Sequence, residues 1–273
     1  MSLSLKNILK GLLPHAAVEY SVRRHDYLRL GVPASRATSL AFSASRYRAL
    51  CDARLNLLPP SILSALRTCV DAGAHAGAWT LALLDVFQPE RILALECDPR
   101  LVGHLTQTMA SLPQVQVIDA ALASNDDEAA FHQLRHPAGS SLLKPLDGIA
   151  REFEAHSWDV IGEVTVKTVR YDSLVEPESE VSILKLDIQG AEKNVLSAST
   201  QGLRRTKSVI LEVNFTPHYE SDAVFAELHD LMRFKGFGLY RLSPAYHRGG
   251  RALFCDAVYL QEQILAEIAP NQT

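Results

Sequence analysis

The chain has few cysteines, and none are at metal-binding spacing. Cys51, Cys69, Cys97 and Cys255 stand 18, 28 and 158 positions apart, so no CxxC or short Cys/His cluster offers a zinc site. Nor does a chain of 273 residues need a disulfide framework to hold its core. Cys69 and Cys97 lie inside apolar runs, which predicts buried free thiols and a reducing, cytoplasmic setting. No stretch reaches the ~18 apolar residues of a membrane span. HExxH, GxSxG and GK[ST] are missing as well. Zinc-protease, serine-hydrolase and P-loop chemistry therefore have no support, and no metal is expected.

Net charge is small too. A value of −4 excludes a wholly basic, polyanion-binding domain, and no nucleic-acid partner is expected. The charge is unevenly distributed, however. Residues 1–60 carry nine basic side chains, seven of them arginines from Arg23 to Arg54, against only Glu19, Asp26 and Asp52. A basic head precedes an acidic body. The head reads as a helical segment ahead of a domain at 61–273, with arginines that pair with that body or face an anionic acceptor or a membrane surface. Its first stretch, MSLSLKNILKGLLPH, has Leu5, Ile8, Leu9, Leu12 and Leu13 at helical spacing, interrupted by Lys6 and Lys10. This predicts an amphipathic helix packed on its own domain rather than a leader peptide.

From about residue 68, short apolar runs alternate with longer segments of helical period, the pattern of an α/β fold with a parallel sheet. Buried strands are expected at 68–70, 92–95 and 183–187, and further strands at 115–118 and 209–213, with later strands at 238–242 and 252–260. Ser61 is expected to cap a helix running to residue 67, and Asp98 with Pro99 to open another. Residues 121–136 and 163–170 alternate like hairpin strands, around a polar turn at 124–127. The insert 137–162 is irregular and is expected to include a mobile loop.

Ligands of open α/β sheets bind beyond the carboxyl ends of the strands. The first such end, Asp71 to Gly77, has the form DxGxxxG and not GxGxxG, because His75 and Ala78 occupy the later glycine positions. A diphosphate cradle is not indicated. Asp71 would repel a pyrophosphate but suits an ammonium or sulfonium. Glu96 ends the second strand, 23 residues after Gly73, where a carboxylate accepts ribose hydroxyls. Asp119 ends the third and could receive an adenine amino group. The implied ligand is a phosphate-free nucleoside with a cationic tail, S-adenosylmethionine. Its candidate contacts are Asp71, Gly73, Ala74, His75, Gly77, Glu96, Asp119 and Ala120.

Beyond these residues, the segments VDAGAHAGAWT, LALECDP, DAALASNDDEAAF and above all ILKLDIQGAEKNVL resemble FkbM-type S-adenosylmethionine-dependent methyltransferases. VILEVNFTPHY and FCDAVYL are similar to that family's closing strands, and the resemblance covers about residues 65–260. It implies a class I methyltransferase fold, a seven-stranded sheet with an antiparallel last strand, and methylation of a hydroxyl on a sugar or natural product. The family commonly has Asn where this chain has His75, and Glu-Pro where it has Glu96-Cys97.

Methyl transfer to an alcohol needs positioning and a base. Asp187, at the fourth strand end beside Gln189-Gly190, is the first catalytic candidate, with helix capping as its alternative role. Glu212 ends the fifth strand and either orients the acceptor or pairs with a basic side chain. Lys185 faces the same side as Asp187 and either pairs with a carboxylate or takes part directly. His75, His136, His156 and His218 are further candidates for the base, and Ser140-Ser141 for substrate contact. Glu192 reads as a first-turn carboxylate favoured by its helix. The acceptor is expected to be a small molecule or a glycan, including a nucleotide-linked sugar. The competing readings are a nucleotide-dependent oxidoreductase and a non-catalytic scaffold.

Overall fold

Runs that are apolar on both faces become inner strands of one sheet, and the mixed run at 115–118 becomes its edge. A computed structural model describes residues 15–41, 43–153 and 157–268. Strands β1 (Thr68–Ala72), β2 (Arg91–Glu96) and β3 (Val115–Asp119) follow the first three runs. A short β4 (Ala121–Ala123), β5 (Glu128–Leu134) and β6 (Val160–Arg170) come next. The remaining strands are β7 (Val181–Leu186), β8 (Thr206–Asn214), β9 (Phe237–Leu242), β10 (Tyr246–Arg248) and β11 (Arg251–Gln261).

The main sheet runs β10-β11-β8-β7-β1-β2-β3, with β9 also paired to β11. Strands β1, β2, β3, β7 and β8 are parallel, and β11 is antiparallel to both β8 and β9. Without β10 this is the mostly parallel sheet with an antiparallel last strand that the resemblance implies; the short β10 adds an eighth strand. The alternating segments form a separate three-stranded sheet, β4-β6-β5. There β5 and β6 pair antiparallel as expected. β4 lies parallel to β6, so the turn at 124–127 closes no hairpin between β4 and β5.

Successive side chains of a strand point to opposite faces, and the two faces meet different cores. Val70, Leu93, Leu184, Leu211 and Tyr259 pack under helices Glu192–Ala198 and Phe225–Phe234. Cys69, Ile92, Ile183, Ile210 and Val258 pack against helix Ala78–Val86 and the basic head. The head helices His15–Arg29, Ala34–Ala41 and Ala44–Asp52 bring Tyr27, Leu40 and Leu50 to that core. Leu50 and Leu55 are fully buried, and each such side chain stabilises the fold by about 1.5–3 kcal/mol. The head is structurally part of one face of the sheet.

Two of its arginines tie the head helices to each other and two reach the body. Arg23 Nε donates to Ala41 O at 2.8 Å and Arg24 Nε to Thr38 Oγ1 at 2.9 Å. Arg36 bonds Gln88 Oε1 and Asp85 O, and Arg54 pairs with Asp256 at 2.5 Å. The Arg54–Asp256 pair is of the kind expected between the basic head and the acidic body, while Arg29 and Arg48 are exposed. The helix expected from Ser61 to residue 67 is one turn, Pro60–Leu63, without a side-chain cap. Asp98 does cap helix Pro99–Met109, accepting from Arg100 N at 3.0 Å. Among the described residues no helix is long and apolar enough to cross a membrane. The expected helix within 1–15 lies almost wholly outside the described residues.

Candidate active site

On the head-facing side of the sheet, each central strand changes character two residues beyond an apolar side chain. Cys69 gives way to Asp71, Ile183 to Lys185, Ile210 to Glu212 and, on the reversed β11, Val258 to Asp256. Asp71 is in register with Lys185, and Glu212 with Asp256. Four ionisable groups therefore cross the sheet at its carboxyl edge.

Lys185 Nζ lies 3.1 Å from Asp71 Oδ1, 3.3 Å from Gly73 O and 3.5 Å from Asp187 Oδ2. Burial alone would lower its pKa, but the two carboxylates raise it on balance, so the ammonium keeps its proton. Lys185 is thus a positioning residue that ties the β1 turn to the end of β7, not a proton acceptor. Asp71 is fully buried, and its other oxygen accepts from Thr80 Oγ1 at 2.8 Å. It sits beneath the turn, held by Thr80 and Lys185.

The turn itself bends through left-handed backbone at Gly73 (φ 76°), His75 (φ 52°) and Gly77 (φ 82°). Gly73 N and Ala74 N both donate to Leu95 O, at 3.1 and 2.9 Å. His75 N donates to Glu96 Oε2 at 2.7 Å, while Glu96 Oε1 accepts from Cys97 N at 2.9 Å and Asp98 N at 2.8 Å. A carboxylate offers about four acceptor directions, so about one, on Oε2, remains for an outside donor. Burial raises the Glu96 pKa despite these amide bonds. A Cβ at Gly77 would meet Met109 Cε at 2.2 Å, so close helix packing also requires a glycine here. Asp119 is exposed; Ala120, Ala121 and Leu122 form the cleft wall at that strand end.

Three clefts open along the edge. The first, about 240 Å³, is bounded by Gly73, His75, Glu96, Ala120, Leu122 and Phe131. The second, about 390 Å³, lies between the turn and the head, against Arg54, Ala74, Trp79 and Lys185. The third, about 420 Å³, is walled by Phe153, Trp158, His218, Tyr246 and Phe254. Asp187 lines all three. In the third cleft Phe153 stacks on Trp158 at 4.7 Å and Tyr246 on Phe254 at 5.1 Å. His218 meets Phe153 edge-on; burial and Arg251 push its pKa down to about 4, so its ring is neutral at pH 7. His136 also lines this cleft, while His156 lies outside the described residues.

Asp187 does not cap the following helix, whose N-cap is Ala191. Gln189, in left-handed backbone (φ 56°), donates from Nε2 to Asp187 Oδ1 at 2.9 Å and to Glu212 Oε1 at 3.0 Å. Its carbonyl oxygen accepts from Tyr219 Oη at 2.8 Å. No basic side chain pairs with Glu212 among the described residues. Burial first, then Asp187, Asp256 and Glu192, hold its proton well above the usual carboxylate range. Ser141 is buried and donates to Gln189 O at 2.7 Å, so it braces this turn. Gln189, Tyr219, Asp256 and the aromatic wall were not singled out by the sequence. A lone acid within the apolar run of β11 was the one local signal for Asp256. Among the described residues no group of three or more His, Cys, Asp and Glu forms a candidate metal site.

Glu192 departs from the helix-dipole expectation. It is 3 % exposed and accepts from Ile188 N at 2.9 Å, yet burial raises its pKa from 4.5 to about 8. A folded-state pKa above the unfolded one means stability is full below about 4.5 and lost as pH rises towards about 8. A shift of this size corresponds to on the order of 5 kcal/mol. Glu192→Gln is expected to flatten the fall of Tm between pH 5 and 8; an unchanged slope in thermal melts would refute the buried, protonated state.

Comparison with known proteins adds three findings. The family model described as the methyltransferase FkbM domain matches residues 71–239. The 2-O-methyltransferase NoeI of Sinorhizobium fredii (strain NBRC 101917 / NGR234) is 22% identical over 170 residues, covering 60% of this chain and 70% of that protein. Among solved structures, the methyltransferase FkbM from Methylobacillus flagellatus KT aligns with a TM-score of 0.45 at 13% identity, over 89% of this chain and 59% of that one. Magnesium protoporphyrin IX methyltransferase (ChlM) from Synechocystis PCC 6803, with bound SAM, gives 0.45 at 10% identity, over 95% and 98%.

Proposed function

The chain belongs to the FkbM methyltransferase family and is an S-adenosylmethionine-dependent methyltransferase; on that premise we propose that its acceptor is a hydroxyl group of a carbohydrate or secondary metabolite. The observation that carries the reading is the position of Asp187, where the two clefts flanking the glycine turn meet the aromatic one.

The residues present fit the cofactor. Glu96 keeps one acceptor direction for a ribose hydroxyl, and His75 brings a buried Nε2 without a partner among the described residues to the same wall. Leu122, Phe131 and the Ala120 backbone offer an apolar slot suited to a base. S-Adenosylmethionine, when bound, supplies a methyl group on a positively charged sulfur. The protein's task is then to orient a nucleophile and remove its proton.

Asp187 takes the hydroxyl proton. Lys185, beside it, offsets the negative charge of the site before transfer. Glu212, retaining its proton, donates to the acceptor, and Gln189 fixes the separation of the two carboxyl groups. The stacked aromatic pairs take the apolar face of a ring and exclude water. The carboxylate of Asp187 on this cleft disfavours an anionic ring within it. NoeI, named a 2-O-methyltransferase, is consistent with oxygen as the acceptor atom. To test the reading, the enzyme is incubated with methyl-labelled S-adenosylmethionine and a panel of neutral glycans and hydroxylated metabolites, and products are located by mass spectrometry and NMR. The label is expected on oxygen; label on nitrogen or carbon alone would overturn it.

A further inference from the structure

The amino-acid tail of S-adenosylmethionine carries an ammonium and a carboxylate. The second cleft is rich in groups for the first: Asp187, Glu212 and Asp256 all line it. Its lining cations are Lys185 and Arg54. Lys185 is already directed at Asp71, Gly73 O and Asp187.

Arg54 is not fully committed. It follows helix Ala44–Asp52 of the head in left-handed backbone (φ 60°). Its Nε donates to Asp256 Oδ2 at 2.5 Å and its Nη1 to Cys51 O at 3.1 Å, and the side chain is 38% exposed. A guanidinium has five N–H donors in a planar fork matched to carboxylates, so these bonds leave donors over. An independent observation points to the same ligand group. Trp79 lines this cleft and is 6% exposed, yet its indole nitrogen, which can only donate, is buried with no acceptor among the described residues. Buried donors are ordinarily paired, and an acceptor brought by a ligand would pair this one.

We propose that Arg54 and Trp79 hold the carboxylate of the cofactor's amino-acid tail, leaving its ammonium to the acids opposite. The site rests on the cofactor reading and extends it. It also gives the head a function, because Arg54 lies outside the family match at 71–239.

The test is calorimetry with S-adenosylmethionine and with its decarboxylated analogue, which keeps adenosine, sulfonium and ammonium. The wild-type protein is expected to bind S-adenosylmethionine more tightly than the analogue by about tenfold or more, the worth of a charge-assisted hydrogen bond. Arg54→Gln and Trp79→Phe are each expected to remove about tenfold for S-adenosylmethionine while leaving the analogue within about twofold. Trp79→Phe retains the packing ring and does not touch the Arg54–Asp256 pair, so it reports on the donor alone. Equal affinity of the wild type for both ligands, or parallel loss of both in the variants, overturns the proposal alone. No binding of either ligand to the wild type overturns it together with the cofactor reading.

Discussion

Asp187→Asn is expected to lower kcat by roughly 10²–10⁴-fold, the usual contribution of a general base, with Tm little changed and a much smaller loss of cofactor affinity, because Asp187 is one of several acids lining the second cleft. Asparagine keeps the volume and the oxygen that accepts from Gln189, and it loses the capacity to take a proton and the charge that faces Lys185. Lys185 would retain Asp71 at 3.1 Å as its partner, so the strand ends stay joined. Glu212→Gln is the informative comparison. Glu212 already holds its proton, so the amide imitates its resting form and the loss is expected to be much smaller. A kcat for Asp187→Asn within about tenfold of wild type would remove Asp187 from the role of base. Parallel losses of kcat, affinity and Tm would instead mark it as a partner of Lys185.

Gly73→Val is expected to abolish measurable cofactor binding. A Cβ at Gly73 would lie 1.9 Å from Asp187 O, a backbone atom that cannot rotate away. Its φ of 76° adds the strain of a left-handed residue, of the order of 1–3 kcal/mol. Relief requires the β1 turn to separate from the end of β7, which displaces Asp187 and the Glu96-facing loop together. Gly103 is the control: a Cβ there meets nothing within 4 Å. Gly103→Ala, within helix Pro99–Met109, is expected to leave binding intact and to raise stability by up to about 1 kcal/mol. Cofactor titration and thermal melts of both variants check this, and a Gly73→Val protein of native affinity would show that the turn does not form the cofactor wall.

Strands buried on both faces announce themselves as apolar runs, and the strands expected from residue 68 onward lie close to where the sequence places them, with β3 at the half-exposed edge. The glycine turn and Asp98 cap were equally legible, because φ and capping chemistry are local. Position in a cleft is not local. Asp71 and Asp119 end strands as Glu96 does, but Asp71 is covered by the turn and paired with Lys185, and Asp119 stands outside the wall. Phe153, Trp158, His218, Tyr246 and Phe254 come from three separate segments, so no spacing rule could unite them. The arginines of the head were visible as charge, while their partners Ala41, Thr38, Gln88 and Asp256 were not.

The reversed course of β11 bears on how acceptor choice can change. Because it runs against its neighbours, it reaches the ligand edge near its start, and the β10–β11 hairpin carrying Tyr246 and Phe254 stands at the outer margin of the sheet order. The cofactor turn, at Gly73 to Gly77, is more than halfway across that order and shares no strand with the hairpin. Grafting residues 244–253 from another member of the family therefore exchanges part of the aromatic wall proposed for the acceptor while leaving Phe254, Asp256 and the glycine turn in place, and new acceptors are expected to become reachable by transplantation of one edge hairpin.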